Sequence, residues 1–376
     1  MSRPPTEILQ NALVEAKKDA LPNILAKIPT AAIHNLKIVV DNAESLKAVL
    51  GAALTSIVYK IYRPAQDVRF HQENMANGYS GRSFDTKFVT PFLQNHFPHY
   101  AMAESAWLTR SLEQPFPYTL DYGGKIRNRQ LKTAFLNLLD HLQSENANAE
   151  KLVIAFFALM IEKSSADHSS LETNAVLGNP GIARIVESVG QHIFYRYHVG
   201  GAARIPVLAI YAVYELLMQD VKRYAGKHLA PLKSHTSPDS RAKTLGDIEI
   251  LNPDGSCFEA IEIKHKKPIS AIMIGVALRK IQNKSVNRYY LLTTSEPNVN
   301  DSAEVSSKLA EVRKIHFCQI IVNDVLPSLK YYLRLVSEPE NFLNLYTRLL
   351  EAEFNRASGI KSEHLKIWTE IRQNLL

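Results

Sequence analysis

Residues 246–267 decide the fold class of this chain, and they read Gly-Asp-Ile-Glu-Ile-Leu-Asn-Pro-Asp-Gly-Ser-Cys-Phe-Glu-Ala-Ile-Glu-Ile-Lys-His-Lys-Lys. Polar and apolar residues alternate on both sides of Pro253-Asp254-Gly255, a combination that is typical of a turn between two strands. We therefore predict a β-hairpin. If its loop is even and centred on Asp254 and Gly255, residue i pairs with residue 509 − i.

This register predicts one charged face on the hairpin. Asp247 lies opposite Glu262, and Lys264 lies on the same face two residues further along. Glu249 shares that face one step nearer the turn. The opposite face is an apolar wall, made of Ile248, Ile250, Ile261 and Ile263. An odd loop would instead put the two acids on opposite faces, unless a β-bulge restored the register.

Two carboxylates that face each other repel, and they persist as a pair only where something positive lies between them. A divalent cation with oxygen ligands meets this need, and an ammonium group such as that of Lys264 can hold or activate a water. The charged face therefore predicts a metal site at Asp247 and Glu262. The alternative is a solvated strand face, which is the usual setting of acids and lysines on a strand.

The composition is that of an ordinary globular chain. Of 376 residues, 46% are hydrophobic and 22% are charged, which allows one large or two medium domains. The formal net charge of +7 suits a polyanionic partner without requiring one. The two cysteines, Cys257 and Cys318, exclude a disulfide framework, and we expect buried thiols in a reducing compartment. The most apolar run, residues 205–218, is too short to span a bilayer, and no signal-peptide core is present, so we expect a cytoplasmic protein outside the membrane.

Apolar spacing divides the chain into two parts. Residues 1–170 predict a mostly helical N-terminal region, interrupted by an irregular segment at 63–129 that is rich in glycine, proline and aromatic residues. Residues 171–376 predict a second domain with the order helix, hairpin, helix, strand, helix, strand, followed by a helical C-terminal tail. This order indicates an α/β fold with a mixed sheet.

Glu215 is the only charged side chain between Arg204 and Asp220, within an otherwise apolar and aromatic predicted helix. A carboxylate on such a helix is costly to bury without a partner. One interpretation is that the helix packs on the sheet and directs Glu215 to the metal site, as a third acid that binds a second ion or orients Lys264. The other is a glutamate on the helix surface or paired with a lysine.

Basic side chains alternate with aromatic ones in segment 63–129, a mixture that can contact DNA because arginine reads guanine edges and lysine holds phosphates. The candidate DNA contacts there are Arg82, Lys87, Arg110, Lys125 and Arg127. Lys266 is a further candidate, because strand alternation puts it on the face of Lys264, where it would clamp a phosphate. The alternatives are a decorated surface over an aromatic core and, for Lys266, a solvated strand end.

Asp247, followed on the next strand by Glu262-Ile263-Lys264, resembles the PD-(D/E)xK nuclease motif, with Gly246 where the motif has proline. Two longer blocks, within residues 66–93 and 205–294, resemble type II restriction endonucleases. The order of elements around the hairpin is that of a restriction-endonuclease-like core, a mixed sheet with helices on both faces. The resemblance therefore makes 171–376 the expected catalytic domain.

The resemblance implies Mg²⁺-dependent hydrolysis of phosphodiesters in a specific double-stranded DNA sequence, leaving 5′-phosphates. Asp247 and Glu262 would ligate the metal, and Lys264 would position the attacking water. Glu215 would be an additional catalytic acid. A palindromic target would match a homodimer. A repair or junction-resolving nuclease with the same core, and a non-catalytic DNA-binding protein, are the alternatives.

Overall fold

The computed structural model describes residues 3–144, 147–169, 180–232, 244–295, 303–357 and 359–375. The chain divides into two compact units, Met1–Ser169 and Ser170–Leu376. We call them unit 1 and unit 2 and describe each by itself. The hairpin and its charged face belong to unit 2, and the basic segment 63–129 belongs to unit 1.

Unit 1 is helical and has one apolar core. Its helices are α1 (Pro5–Lys18), α2 (Leu21–Leu25), α3 (Thr30–Asp41), α4 (Lys47–Tyr62), α5 (Gly81–Phe84), α6 (Thr90–His96), α7 (Arg129–His141) and α8 (Ala149–Ser169). Helix α4 is buried on all sides from Val49 to Val58, as expected for a helix without a polar face. Segment 63–129 lies over this core in short elements, including a π-helical turn at Asp85–Val89 that joins α5 to α6.

Buried polar groups hold segment 63–129 in place. The carboxylate of Asp85 is fully buried, and it accepts hydrogen bonds from the hydroxyls of Thr55, Thr90 and Ser105 and from the backbone N–H of Ala106. Burial raises the pKa of Asp85. The block Gly81–Asp85 thus has a structural role in unit 1, since Asp85 ties α4, α6 and residues 105–106 together.

His71 is the second buried anchor of this segment. The indole N–H of Trp107 donates to its Nδ1 at 2.8 Å, so Nε2 carries the proton and donates to the carbonyl of Phe116 at 3.0 Å. The ring of Tyr118 stacks on the imidazole at 3.6 Å between centroids. Burial lowers the pKa of His71 to about 4, so the side chain is neutral in the folded protein near pH 7.

Unit 2 contains a mixed five-stranded sheet with the order β1-β2-β3-β4-β5. The strands are β1 (His228–Leu229), β2 (Ile248–Leu251), β3 (Cys257–Lys264), β4 (Arg288–Thr293) and β5 (Gln319–Asp324). Strands β1, β2 and β3 pair antiparallel, whereas β3, β4 and β5 pair parallel. The mixed α/β architecture predicted from the order of elements is confirmed.

Helices cover both faces of this sheet. Their bounds are α9 (Ile182–Phe194), α10 (Arg204–Asp220), α11 (Ala271–Ile281), α12 (Ala303–Ile315), α13 (Val325–Leu333), α14 (Asn341–Asn355) and α15 (Ser362–Gln373). Ile248, Ile250, Ile261 and Ile263 form the predicted apolar wall, which packs in one core with α9, α10 and the C-terminal helices. The other face packs against α11 and α12 through a second apolar cluster.

Both cysteines are free, with Cys318 buried and Cys257 half-buried. Burial raises the pKa of the Cys318 thiol to about 11 and that of Cys257 to about 12, so both are protonated near pH 7. In the part of the chain that the structure describes, no helix has the length and apolar character that crossing a bilayer requires.

The pKa of His71 predicts how the stability of unit 1 depends on pH. In the unfolded chain His71 titrates near 6.5, whereas in the fold it titrates near 4. The unfolded state therefore binds more protons between these values, and lowering the pH from 7 to 5 should cost about 2 kcal/mol of stability through this group. We expect this loss in urea unfolding followed by Trp107 fluorescence in a Trp368→Phe background, which leaves one indole.

The matched variant is His71→Gln, whose amide keeps a donor and an acceptor but does not titrate. It should be less stable at pH 7, and its stability should change by about 2 kcal/mol less than that of the parent between pH 7 and pH 5. An equal pH dependence in the two proteins would show that His71 is not the group responsible.

Candidate active site

The hairpin has the predicted register because a β-bulge compensates for an odd loop. The loop between the paired residues Leu251 and Cys257 has an odd number of residues, and the register shifts by one between Leu251 and Ile250. Beyond the shift, Ile250 pairs with Glu259 and Ile248 with Ile261, which is the 509 − i pairing. The bulge thus restores the register that an odd loop would have lost, and the next pair along would be Asp247 and Glu262.

The turn itself is built as its residues indicate. Gly255 has a φ of +80°, a conformation that glycine adopts without strain. The N–H of Gly255 donates to the carbonyl of Asn252, and the carboxylate of Asp254 accepts from the N–H and the hydroxyl of Ser256. These contacts fix the conformation of the loop. The loop in turn determines where the bulge lies, and therefore where the acids lie.

Asp247 lies one residue before β2, against the end of β3. Its Oδ2 accepts a hydrogen bond from the backbone N–H of Ile263 at 2.8 Å. Burial raises the pKa of Asp247, and the negative charge of Glu262 raises it further, which agrees with the register that makes residues 247 and 262 the next pair. The charges of Lys264 and Arg204 act in the opposite direction and favour the ionised form.

Gly246 lets the chain approach β3 closely at this point. A Cβ atom at residue 246 would lie 2.5 Å from the carbonyl oxygen of Ile261 and 2.9 Å from its carbon. No side chain fits there without a backbone shift. Glycine at residue 246 therefore has a local steric reason.

Glu262 is held by two ammonium groups. Lys264 Nζ lies 2.5 Å from Oε1, and Lys280 Nζ, from helix α11, lies 3.2 Å from Oε2. The Tyr289 hydroxyl donates to the carbonyl of Leu245 at 2.6 Å and lies 3.5 Å from Oε2. The predicted proximity of Lys264 to an acid of the pair is present at Glu262, whereas Lys280 and Tyr289 belong to the site without having been singled out in the sequence.

Arg204, in the first turn of α10, contributes a third positive charge that favours the ionised form of Asp247 and so lowers its pKa. Its side chain is 3% exposed, and Nε donates to Oε2 of Glu353, on α14, at 2.7 Å. This buried ion pair joins α10 to α14, and the charge of its arginine also acts on Asp247. We call Asp247, Glu262, Lys264, Lys280, Arg204 and Glu353 the charge cluster.

Two other acids of the predicted site have different partners. Glu249 accepts a hydrogen bond from the N–H of Leu245 at 2.7 Å and so fixes the segment that leads to Asp247. Glu215 is paired with Arg348, of α14, at 2.8 Å and is 23% exposed. It lies eleven residues beyond Arg204, which is about 16 Å along a helix. The structure thus places Glu215 in a surface ion pair and not in the charge cluster.

The predicted DNA contacts are all on the surface. Arg82, Lys87, Arg110, Lys125 and Arg127 are exposed in unit 1, and Lys266 is exposed in unit 2. Strand β3 ends at Lys264, however, and Lys266 has a φ of +52° in the turn that follows, with its N–H donating to Thr294 Oγ1. The strand alternation expected to put Lys266 on the face of Lys264 therefore does not extend to it.

The donor set suits a hard cation with few protein ligands. Asp247 and Glu262 offer carboxylate oxygens from neighbouring strands of the hairpin, and Mg²⁺ is typically held by one or two carboxylates together with waters and substrate phosphates. Among the described residues there is no group of three or more His, Cys, Asp or Glu side chains placed to hold a metal. The two acids and the oxygens of water and substrate would therefore have to complete the coordination.

The steric role of Gly246 leads to a prediction about stability. Gly246→Ala should force the backbone away from Ile261, displace Asp247 and cost about 1–3 kcal/mol, as overpacking does. Thermal unfolding followed by circular dichroism should show the loss, and hydrogen exchange should show weaker protection of peptides that cover β2 and β3.

Gly275→Ala is the matched control. Gly275 lies in α11, and a Cβ atom there would have open space around it, so alanine should be neutral or should stabilise the helix by up to about 1 kcal/mol. Equal stability and equal hairpin protection in Gly246→Ala and the parent protein would contradict the steric argument.

Comparison with known protein families and curated proteins assigns no family to this chain. The chain is matched by no protein-family model and by no curated protein. The function has to be inferred from the charge cluster and from the exposed basic residues.

Proposed function

We propose that this chain is a Mg²⁺-dependent type II site-specific endodeoxyribonuclease, which hydrolyses phosphodiesters of a specific double-stranded DNA sequence and leaves 5′-phosphates. The observation that supports this proposal best is the convergence of Asp247, Glu262 and Lys264 at the end of β3. An acid pair that can hold a divalent cation, with an ammonium group beside it, is one arrangement that supports metal-assisted phosphodiester hydrolysis.

Each residue of the trio has a distinct part in this proposal. Asp247 and Glu262 hold the cation through their carboxylates. When bound, Mg²⁺ polarises a phosphoryl oxygen and lowers the pKa of a water. Lys264 is 30% exposed and bonded to Glu262, so its ammonium group can orient the attacking water and stabilise the negative charge that develops on the phosphate.

The proposed partner is double-stranded DNA. The five candidate basic side chains of segment 63–129 are exposed, and the backbone of the segment is anchored by the buried Asp85 and His71. A rigidly held basic surface suits phosphate contact and base recognition. A specific palindromic target would be cut by a homodimer, because a two-fold protein matches a two-fold site. The protein would act in the cytoplasm.

One observation favours a second candidate, a non-catalytic DNA-binding protein. Both oxygens of Glu262 contact ammonium groups, which is also how an acid in a purely structural ion-pair cluster is satisfied. The two candidate functions differ in whether they depend on a divalent cation. The nuclease must bind Mg²⁺ or Mn²⁺ through Asp247, whereas the structural cluster would leave DNA binding independent of these ions.

The proposed nuclease predicts the outcome of substituting Asp247. Asp247→Asn should reduce cleavage of plasmid DNA in Mg²⁺ by more than about 100-fold, since losing even an outer partner of a metal site costs about 10- to 100-fold. Gel analysis of timed digests measures the rate. Isothermal titration calorimetry should show that the variant no longer binds Mg²⁺.

Glu311→Gln is the charge-matched control. Glu311 is 57% exposed and bonded to Lys308 within α12, so its substitution should leave cleavage unchanged. Discrete bands on linear duplex identify a site-specific enzyme, whereas smearing rejects site specificity and cutting restricted to branched DNA identifies a junction-resolving nuclease. Equal cleavage by Asp247→Asn and wild type would reject the site.

A second prediction concerns segment 63–129. If Lys125 and Arg127 each contact a phosphate, the double variant Lys125→Ala/Arg127→Ala should bind DNA more weakly, and the plot of log affinity against log salt should lose about 2 units of slope. Fluorescence anisotropy with a labelled duplex at several salt concentrations gives the slope. Lys37→Ala/Lys151→Ala removes two exposed charges of unit 1 outside the segment and should keep the slope, so equal losses in the two variants would contradict a specific role of the segment.

A further inference from the structure

Lys280 contacts Glu262 from helix α11, whereas Lys264 contacts it from strand β3. It lies in the last turn of α11, between the buried Ala277 and Ile281, which pack against the sheet. The side chain is 20% exposed, and Nζ lies 3.2 Å from Glu262 Oε2. Packing of the helix therefore holds this ammonium group at the acid pair.

The two lysines contact different oxygens of the Glu262 carboxylate. Lys264 contacts Oε1, and Lys280 contacts Oε2. A cation that binds Glu262 beside Asp247 must displace or repel at least one of these ammonium groups, because like charges a few ångströms apart raise each other's free energy. Lys264 has a part in the chemistry of the proposed nuclease, whereas Lys280 has none.

We propose that Lys280 is an internal counterion of the acid pair, a positioning residue that competes with the divalent cation for Glu262 and lowers the Mg²⁺ affinity of the DNA-free protein. This inference rests on the proposed function, since it concerns the same cation. It explains why a helix outside the motif contributes a lysine to an acid that already has one.

The expected size of the effect follows from comparable charge pairs. A charge within about 4–6 Å changes the proton affinity of a carboxylate by about 1–3 pKa units, or tenfold to a thousandfold. Lys280 is partly exposed, so solvent screening reduces its effect. Removing its charge should therefore strengthen Mg²⁺ binding by about tenfold, the lower end of that range.

The experiment is calorimetric titration of the full-length protein with Mg²⁺ in the absence of DNA. Lys280→Met and Lys280→Gln should both bind Mg²⁺ about tenfold more tightly than wild type, and Lys280→Arg, which keeps the charge, should bind as wild type does. Arg279→Met, on the exposed neighbour in α11, loses the same charge and should change the affinity by less than about twofold. In the cleavage reaction, the Mg²⁺ concentration at half-maximal rate should fall for Lys280→Met.

A merely structural lysine would give the opposite result, because losing it would loosen Glu262 and weaken Mg²⁺ binding. Unchanged or weaker binding in both Lys280→Met and Lys280→Gln, with Mg²⁺ binding intact in wild type, would overturn this inference and leave the proposed function standing. Absence of Mg²⁺ binding in wild type and in both variants would also overturn this inference, and if DNA is then not cleaved in Mg²⁺ either, the proposed function falls with it. Asp247→Asn in the Lys280→Met background should abolish the heat of Mg²⁺ binding. That result would assign the bound ion to the acid pair.

Discussion

Electrostatic repulsion between Asp247 and Glu262 is the constraint on which the local structure of unit 2 depends. Two like charges 4 Å apart repel by about 4 kcal/mol at an effective dielectric constant of 20, and burial adds the cost of desolvation. That cost is offset by Lys264 of β3, Lys280 of α11 and Arg204 of α10. Residues from β3, α11 and α10 therefore act together on the acid pair.

The backbone of the sheet determines where the two acids lie. A single bulge after an odd loop decides which face of the hairpin carries the acids, and a shift of one residue would point Glu262 into the apolar wall. Gly246 allows the chain to pass within contact distance of Ile261, and the N–H of Ile263 then binds the carboxylate of Asp247. Local backbone geometry thus fixes the acids before any ligand is present.

Local sequence signals predicted the parts of this arrangement that depend on local structure. Alternation around a strong turn predicted the hairpin, its apolar wall and the facing acids, and the order of elements predicted a mixed sheet. The bulge was foreseen only as an alternative, because loop parity depends on how Asn252–Ser256 fold. Lys266 departs from alternation because the strand ends two residues earlier.

Long-range partners were the part that the sequence did not reveal. Glu215 had two interpretations, and its partner Arg348 lies 133 residues away, so no local pattern could choose between them. Lys280 carries the helical spacing of an ordinary half-buried lysine, and Arg204 and Glu353 find each other across 149 residues. Such pairs are decided by the packing of helices on the sheet, which a single sequence does not specify.

The charge cluster is balanced in a way that bears on how the proposed nuclease would bind its ligands. Its three acids and three basic groups have a formal sum of zero, so a divalent cation entering alone would leave a net charge of +2 in a partly buried site. A DNA phosphate placed beside the cation would reduce that excess and would give a displaced ammonium group a new partner. DNA should therefore strengthen cation binding, and because coupling between two ligands is reciprocal, the cation should strengthen DNA binding by the same factor. The cation, which is disfavoured alone, would then enter the site together with a DNA phosphate.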